Sequence, residues 1–111
     1  MTSVGIIGVG VLGSAMSSVF SDLGISVKLF DKYKGIGKLE DVLATNIVFL
    51  CLPSPFDPVN NCFDKFELSI ICNELNTNAY KGIVVIKSTV EPGTTLYFSK
   101  IFNKLTIVHN P

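Results

Sequence analysis

The chain has 111 residues, which is enough for one domain and too few for two. Nine basic and nine acidic residues cancel, and no basic stripe with interleaved aromatic residues is present, so no nucleic acid partner is expected. The longest apolar run, residues 47–52, is far shorter than the roughly 20 residues that a membrane span needs, so no membrane partner is expected either.

Apolar residues make up 48% of the sequence, and the mean hydropathy is +0.49. This composition argues against disorder. It also predicts that some apolar surface contacts another domain or another chain, which includes a second copy of this chain in a homo-oligomer. The amino terminus carries no basic segment or cleavage site, and Cys51, Cys62 and Cys72 have no paired spacing. We therefore expect a cytoplasmic protein with idle thiols and no metal site around the single histidine, His109.

Strand and helix signals alternate along the whole chain. Five apolar runs predict strands at residues 4–8, 25–31, 46–52, 82–87 and 105–108. Helical spacing predicts helices at residues 10–23, 39–43, about 64–76 and about 93–103. The apolar face of the first helix is predicted to consist of Leu12, Ala15, Met16, Val19, Phe20 and Leu23. Residues 53–63 are predicted to form a loop, followed by a capping box of Asp64 and Glu67.

The first, third and fourth predicted strands are nearly continuous apolar runs, which is typical of parallel strands covered on both faces. Together with right-handed crossovers, this pattern predicts an α/β fold. We expect a Rossmann-type doubly wound parallel sheet of five strands in the order 3-2-1-4-5. The predicted sheet is truncated before the sixth strand of that fold.

The first chemical signal is the glycine-rich turn Gly8-Val9-Gly10-Val11-Leu12-Gly13, which leaves a predicted strand and opens a predicted helix. In such a turn Gly8 permits a tight bend, Gly10 leaves room for a pyrophosphate, and Gly13 allows the helix to pack closely on the sheet. The free N–H groups and the positive dipole end of the helix then face the phosphates. The turn predicts a dinucleotide site, with FAD and S-adenosylmethionine as alternatives that use similar turns.

Asp31 ends the second predicted strand, 18 residues after Gly13. Its carboxylate can accept hydrogen bonds from both hydroxyls of a ribose. A 2′-phosphate at about 4 Å would instead be repelled by about 4 kcal/mol at an effective dielectric constant of about 20. The predicted cofactor is therefore NAD rather than NADP. Lys32 and Lys34 weaken this preference, because either side chain could pair with a phosphate.

Two further turns follow strands at the same carboxyl edge of the predicted sheet. Pro53-Ser54-Pro55 forms a stiff segment after the third strand. Ser88-Thr89 follows the fourth strand, ahead of Pro92-Gly93 at the start of the next helix. Ligands bind this edge where the strand order reverses, which the predicted order places between the first and fourth strands. We therefore expect the hydroxyl groups to lie near the nicotinamide half of the dinucleotide.

Taken together, these motifs resemble the N-terminal NAD-binding domain of the UDP-glucose/GDP-mannose dehydrogenase family. The likeness covers essentially the whole chain. It rests on the glycine turn, Asp31-Lys32, "CLPSPFD" with Phe63-Asp64, "IVVIKSTVEPGTT", and the final "VHNP", which is similar to the start of the family's Asn-Pro-Glu-Phe segment. The resemblance implies NAD-dependent oxidation of a nucleotide sugar's primary alcohol to a carboxylate, as in UDP-glucose 6-dehydrogenase.

The resemblance also implies roles for individual residues. Pro53, Ser54 and Pro55 match a segment that contacts a cofactor ribose, and Lys32 or Lys34 matches a basic residue that contacts the cofactor. Thr89 matches a threonine that positions a water near the nicotinamide, which makes it the implied catalytic residue. The implied cofactor-binding set is Gly8, Gly10, Val11, Leu12, Gly13, Asp31, Lys32, Pro53, Ser54, Pro55, Ser88 and Thr89.

The sequence departs from that family in its catalytic parts. It lacks the Gly-Gly-x-Cys motif of the catalytic thiol, the catalytic lysine and asparagine, the central helix and the sugar-nucleotide domain. We therefore expect residues 1–111 to be an NAD-binding domain that binds NAD without catalysis, and a nucleotide sugar only if a C-terminal domain is supplied. Two alternatives remain: an NAD domain of the 3-hydroxyisobutyrate/6-phosphogluconate dehydrogenase type, and a non-catalytic NAD-binding remnant or subunit of a split enzyme.

Overall fold

The computed structural model describes residues 2–111. Its strands are β1 (Ser3–Ile7), β2 (Ser26–Phe30), β3 (Ile47–Leu50), β4 (Phe56–Asp57), β5 (Cys62–Phe63), β6 (Ile83–Ile86) and β7 (Thr106–His109). Its helices are α1 (Val11–Asp22), α2 (Leu39–Leu43), α3 (Phe66–Thr77) and α4 (Thr94–Ile101). The predicted α/β Rossmann-type parallel sheet of five strands is confirmed. None of the helices in residues 2–111 has the length and apolarity that crossing a bilayer requires.

The order of the strands differs from the predicted order 3-2-1-4-5. The sheet has the order β2-β1-β3-β6-β7, which is 2-1-3-4-5 for the five predicted strands and the other common doubly wound order. β3 pairs with β1 rather than lying outside β2. The prediction was wrong because it ignored the alternation in β2, where Ser26 and Lys28 are exposed. An alternating strand fits the edge of a parallel sheet, whereas the unbroken apolar run of β3 fits its centre.

This strand order distributes the helices unequally over the two faces of the sheet. α1 connects β1 to β2 in one direction along the sheet, whereas the connections through α2, α3 and α4 all run in the other direction. Because crossovers are right-handed, α1 covers one face and the other three helices cover the opposite face. We call them the open face and the helix-rich face. Gly5 lets α2 lie close over β1, since a Cβ there would come within 2.8 Å of Val42 Cγ1.

The main hydrophobic core lies on the helix-rich face. Alternate residues of the central strands point toward it and pack against one side of each covering helix. None of the described α1 residues belongs to this core. Its fully buried members are Ile7, Val48, Leu50, Val84 and Ile86 from the strands, and Val42, Leu68, Cys72 and Leu75 from the helices.

On the open face, α1 packs through a narrower stripe than the sequence predicted. Gly13 is buried, and the ring of Phe20 lies 5.5 Å from the ring of Phe49 in β3. Four members of the predicted packing face are exposed instead: Ala15 and the larger side chains Leu12 (46%), Val19 (57%) and Leu23 (69%). The glycine at the contact allows a close approach but leaves these larger side chains outside it.

The part of the open face beyond α1 is also apolar and exposed. Ile83 directly precedes a core residue in β6, and Val108 directly follows a core residue in β7. Because successive side chains of a strand point to opposite faces, both point away from the helix-rich face. They are 43% and 42% exposed. The open face therefore carries uncovered apolar surface on both the helix and the sheet.

Residues 53–63 were predicted to be a loop, but they contain a short antiparallel hairpin. Phe56 of β4 lies opposite Phe63 of β5, with ring centroids 5.5 Å apart in an edge-to-face arrangement. Two-residue strands are too short to give a periodic signal, so the sequence pattern did not indicate them.

Candidate cofactor-binding site

The candidate site lies at the carboxyl edge of the sheet, between β1 and β3. The strand order reverses here, and not between the first and fourth predicted strands as expected, because β3 is the neighbour of β1. A cleft of about 410 Å³ opens at this point. It is lined by Gly8, Gly10, Asp31, Tyr33, Lys34, Cys51, Leu52 and Pro53.

The three glycines of the turn have different surroundings. Gly8 has φ +96°, and a Cβ there would lie 2.7 Å from the Cys51 carbonyl oxygen, so only glycine fits where β1 and β3 leave the sheet together. A Cβ on Gly13 would collide with the carbonyl oxygen of Gly8. Gly10 has φ −90°, and a Cβ there would meet nothing within 4 Å. Gly8 and Gly13 thus shape the turn, whereas Gly10 faces open space.

Helix α1 begins beside this open space. Gly10 is its N-cap, no side chain in residues 2–111 caps the first turn, and the first turn holds no acidic residue. Val11 and Leu12 are exposed at 93% and 46%. The first N–H groups of a helix have no partner within the helix, and they carry the positive end of its dipole. The turn therefore presents donors and positive potential to an anion in the cleft.

Asp31 connects the end of β2 to the glycine turn. Its Oδ2 accepts a hydrogen bond from the Val9 N–H at 2.8 Å, and its Oδ1 accepts from the Tyr33 and Lys34 N–H groups at 3.1 Å each. Burial acts to raise the pKa of Asp31, but these backbone hydrogen bonds outweigh burial, and the pKa lies below its ordinary value. The side chain is therefore a fixed carboxylate at neutral pH. Three of its roughly four lone-pair sites are thus used, so Oδ2 can accept one further hydrogen bond.

The two lysines after Asp31 have different positions. Lys34 donates from Nζ to the Val9 carbonyl oxygen at 2.6 Å, which binds the loop back onto the glycine turn. Lys32 is exposed and lines a neighbouring cavity rather than the cleft itself. Lys34 is thus held by a hydrogen bond to the backbone of the glycine turn, whereas Lys32 makes no such hydrogen bond.

The Pro-Ser-Pro loop and the Ser-Thr turn are joined directly. Ser54 Oγ donates to the Thr89 carbonyl oxygen at 2.6 Å, and Ser88 Oγ donates to the Leu52 carbonyl oxygen at 2.5 Å. Two of the hydroxyl groups predicted to face a cofactor therefore hold the two segments together. The Thr89 side chain is exposed, one strand further from the cleft than Pro53.

A charged contact extends this junction to the hairpin. Lys65 Nζ lies 2.9 Å from Glu91 Oε1, and Glu91 Oε2 accepts a hydrogen bond from the Phe63 N–H at 3.0 Å. The side-chain hydrogen bond from Lys65 is the main cause that lowers the pKa of Glu91. The glutamate of the sequence "VEPG" thus fixes the β4–β5 hairpin beside the turn that carries Thr89.

A second cavity, of about 320 Å³, adjoins the cleft on the helix-rich face. The loop after β2 forms one wall and α3 forms the other, and Tyr33 donates from its hydroxyl to Glu67 Oε1 at 2.6 Å between them. This hydrogen bond is the main cause that raises the pKa of Tyr33. The predicted capping box of Asp64 and Glu67 does not form, because the N-cap of α3 is Lys65 and has no side-chain cap hydrogen bond. Glu67 instead contacts Tyr33, and Asp64 accepts from the Phe66 N–H two residues ahead.

Sequence reasoning missed most of this cavity. Tyr33, Ile70 and Glu74 belong to no motif, and Glu67 was assigned only to a capping box. The helical spacing of residues 67, 70, 71 and 74 alone placed them on one face of α3. A larger groove of about 540 Å³ lies at the opposite, amino edge of the sheet, between residues 43–46 and 78–83. It is remote from every residue predicted for the site.

The structure therefore brings part of the predicted set into one cleft. Gly8, Gly10, Asp31 and Pro53 line it, Lys32 lines the adjoining cavity, and the Ser54–Thr89 contact continues it along the edge. Gly13 is buried behind the turn, and Pro55 lines a small pocket of about 230 Å³ with Asp64 and Glu67.

The buried thiols are not activated. Burial raises the pKa of Cys72 to about 12 and also raises the pKa of Cys51, against the opposing effect of Lys87. At neutral pH both side chains are protonated. In residues 2–111, no group of His, Cys, Asp and Glu side chains is arranged to hold a metal ion.

No protein-family model matches the sequence, and no curated protein matches it. Solved structures do match the fold. A UDP-glucose dehydrogenase from the hyperthermophilic archaeon Pyrobaculum islandicum gives a TM-score of 0.79 at 18% identity, over 98% of this chain and 35% of that one. Imine reductase BcSIRED from Bacillus cereus BAG3X2 gives 0.71 at 23% identity, over 98% and 39%. The 3-hydroxyisobutyrate dehydrogenase of Mycobacterium tuberculosis gives 0.64 at 16% identity, over 98% and 39%.

At these identities the likeness establishes the fold. The chain spans between 35% and 39% of the length of the three structures. Its α/β fold is therefore one that also occurs as a segment of a nucleotide-sugar dehydrogenase, an imine reductase and a hydroxyacid dehydrogenase.

Proposed function

We propose that this chain binds NAD at the carboxyl edge of its sheet, as the cofactor domain of a nucleotide-sugar dehydrogenase. The observation that carries the proposal is the open space at Gly10, which lies beside uncapped helix N–H groups and a fixed carboxylate. The fold of the solved dehydrogenases supports the cofactor class. The nucleotide-sugar class is supported by the sequence motifs that follow β3 and β6.

In this proposal the pyrophosphate binds at the start of α1. The Gly10 backbone leaves the space that a phosphate needs, and the N–H groups of Val11 and Leu12 supply donors. The cleft volume of about 410 Å³ is within the range of ligand pockets. The adjoining cavity of about 320 Å³ receives the base, because it lies on the far side of Asp31 from the nicotinamide end.

Asp31 binds a ribose hydroxyl through Oδ2 and disfavours a 2′-phosphate. Its lowered pKa keeps it charged, and Lys34, which could have neutralised a phosphate, already donates to the Val9 carbonyl. Lys32 remains as an exposed cation nearby. The preference is therefore for NAD over NADP.

The nicotinamide end extends toward Thr89. Ser54 and Ser88 position this end by joining the two segments rather than by donating to the cofactor. We expect residues 1–111 to bind NAD without oxidising a sugar, because the thiols Cys51 and Cys72 are protonated and no Gly-Gly-x-Cys motif occurs in the sequence. The 3-hydroxyisobutyrate dehydrogenase type remains the second candidate, since its fold also matches.

Calorimetric titration of NAD tests the proposal. The wild-type chain is expected to bind NAD saturably, and Gly10→Ala is expected to weaken binding at least about tenfold, because the new methyl group occupies the phosphate's place. The variant should keep its thermal midpoint, since its φ suits alanine and no atom lies within 4 Å of the new Cβ. Ser14→Ala, on the same helix with an exposed side chain, is the matched control and should bind as the wild type does.

Two results would contradict the proposal. The first is a folded wild-type chain that shows no saturable binding of NAD, and the second is a Gly10→Ala variant that binds with wild-type affinity. Titration with NADP tests the role of Asp31 separately. Asp31→Asn should narrow the preference for NAD, because it removes the charge that repels a 2′-phosphate.

A further inference from the structure

The cavity of about 320 Å³ beside Asp31 has an apolar floor. Ile7 and Ile71 are buried there, and Phe30 and Leu52 are partly buried against the same core. A pocket of this kind, apolar with a few polar groups at its rim, is typical of small-molecule sites. Its floor can pack against a planar base, while the polar groups at the rim decide which base fits.

The α3 wall of this cavity presents hydrogen-bond acceptors. Glu67 and Glu74 line it from the same face of the helix, and both side chains are partly buried. Tyr33 donates its hydroxyl hydrogen to Glu67 Oε1 at 2.6 Å, across a separation of 34 residues. A carboxylate can only accept hydrogen bonds, and one bond from Tyr33 leaves other lone pairs free. Tyr33 therefore holds Glu67 in place without using up its capacity to accept.

We propose that Glu67, held by Tyr33, makes the cavity select a purine with an exocyclic amino group over one with an exocyclic oxygen. This inference rests on the proposed function, because it takes the cavity as the base subsite of the dinucleotide. An amino group donates to the carboxylate, whereas an oxygen in the same place would face a second acceptor. A site built around such a hydrogen bond rejects an analogue that lacks the donor.

The opposite wall would give the opposite preference. Lys32 is the one cation among the residues that line the cavity, and it lies on the loop after β2. An ammonium group only donates, so recognition by Lys32 would favour the exocyclic oxygen. Lys32 is exposed, whereas Glu67 is partly buried and held by a short hydrogen bond. These differences favour the α3 wall as the one that hydrogen-bonds to the base. A measured preference for the exocyclic amino group would indicate the α3 wall, and a preference for the exocyclic oxygen would indicate Lys32.

The experiment compares NAD with nicotinamide hypoxanthine dinucleotide, in which the amino group of the adenine is replaced by oxygen. Calorimetric titration of the wild-type chain should show NAD binding about tenfold more tightly, since one hydrogen bond to a charged group is lost. Glu67→Gln should bring the ratio close to one, because an amide can donate as well as accept. Tyr33→Phe should lower the ratio part of the way, because Glu67 is no longer held. Glu40→Gln, at an exposed position of α2, is the matched control and should keep the wild-type ratio.

Three outcomes would overturn the inference and leave NAD binding intact: equal affinities for the two dinucleotides, tighter binding of the hypoxanthine form, or a Glu67→Gln variant with the wild-type ratio. If neither dinucleotide binds the folded wild-type chain, the proposed function fails as well, so the two failures are distinguishable. Thermal unfolding of each variant shows whether it is folded. If Glu67→Gln does not fold, Tyr33→Phe decides the matter, and an unchanged ratio in that variant overturns the inference.

Discussion

The two faces of the sheet differ in how completely they are covered. On the helix-rich face, three helices bury Leu50, Leu68 and Val84 so that none is accessible. On the open face, a single helix packs through Gly13 and the Phe20–Phe49 contact, and Val19 and Leu23 stay more than half exposed. One sheet thus joins a closed core to an apolar surface that is only partly covered.

This difference separates stability from function within the chain. Most of the fully buried side chains, which dominate the hydrophobic contribution to folding, belong to the helix-rich face, whereas the fully buried Ile6 lies beside Gly13 of α1. The glycine turn belongs to α1, whose contact with the sheet is narrow. We infer that the helix that would bind phosphate is attached less strongly than the helices that build the core.

The largest expected effect is that of a cavity in the helix-rich face. Leu68→Ala should lower the free energy of unfolding by about 2–5 kcal/mol, because its side chain is fully buried. Leu23→Ala, the same substitution on the open face where the side chain is 69% exposed, should change it by less than about 0.5 kcal/mol. Urea unfolding of the two variants measures both values. Comparable losses in the two variants would show that the faces contribute equally.

Thiol labelling should separate the two faces more finely. Cys51 lies against α1, with Sγ 3.8 Å from Met16 Sδ, whereas Cys72 is fully buried in the core and has a pKa of about 12. Cys51, which is partly exposed and lines the cleft, should therefore react without unfolding of the core, whereas Cys72 should react only when the core unfolds. A Cys62→Ser background removes the third thiol. We expect Cys51 to be labelled at least about tenfold faster than Cys72.

The labelling rates also have a defined pH dependence. Thiolates react and thiols do not, and burial raises the pKa of Cys51, so its labelling should accelerate as the pH rises above neutrality. Mass spectrometry of peptides containing each cysteine gives the two rates separately. Equal rates at every pH would mean that α1 and the core open together as one unit.

The smallest effect on stability is expected from polar substitutions on the open face. Val19→Thr and Val108→Thr keep the shape of the side chain at positions that are 57% and 42% exposed. Each should leave the free energy of unfolding within about 0.5 kcal/mol of the wild type. The double variant should nevertheless bind less of a fluorescent dye that reports exposed apolar surface. Unchanged dye binding would show that these side chains do not form the accessible apolar patch.

The sequence was most informative where a residue type is needed for a local reason. The turn at Gly8 and the start of α1 followed from the glycine pattern, and the convergence of the strand ends at one edge of the sheet followed from parallel strands. The position of β3 was predicted wrongly. Which strand lies at the edge is decided by comparing the polarity of the strands, and the polar residues Ser26 and Lys28 mark β2, not β3, as the edge strand. The Tyr33–Glu67 contact was not predicted, since it joins residues 34 positions apart and the sequence pattern had assigned Glu67 to a capping box with Asp64.

The hydrogen bonds of Ser54 and Ser88 have a consequence for how this edge can change. Because each hydroxyl group donates to a backbone carbonyl of the opposite segment, residues 52–55 and the turn at Thr89 are expected to move together. A substitution or an inserted residue in the first segment would displace the second, even though the two lie more than 30 positions apart in the chain. A sequence change in the proline-rich loop is therefore expected to change the geometry around Thr89, even when every residue of the Thr89 turn stays the same.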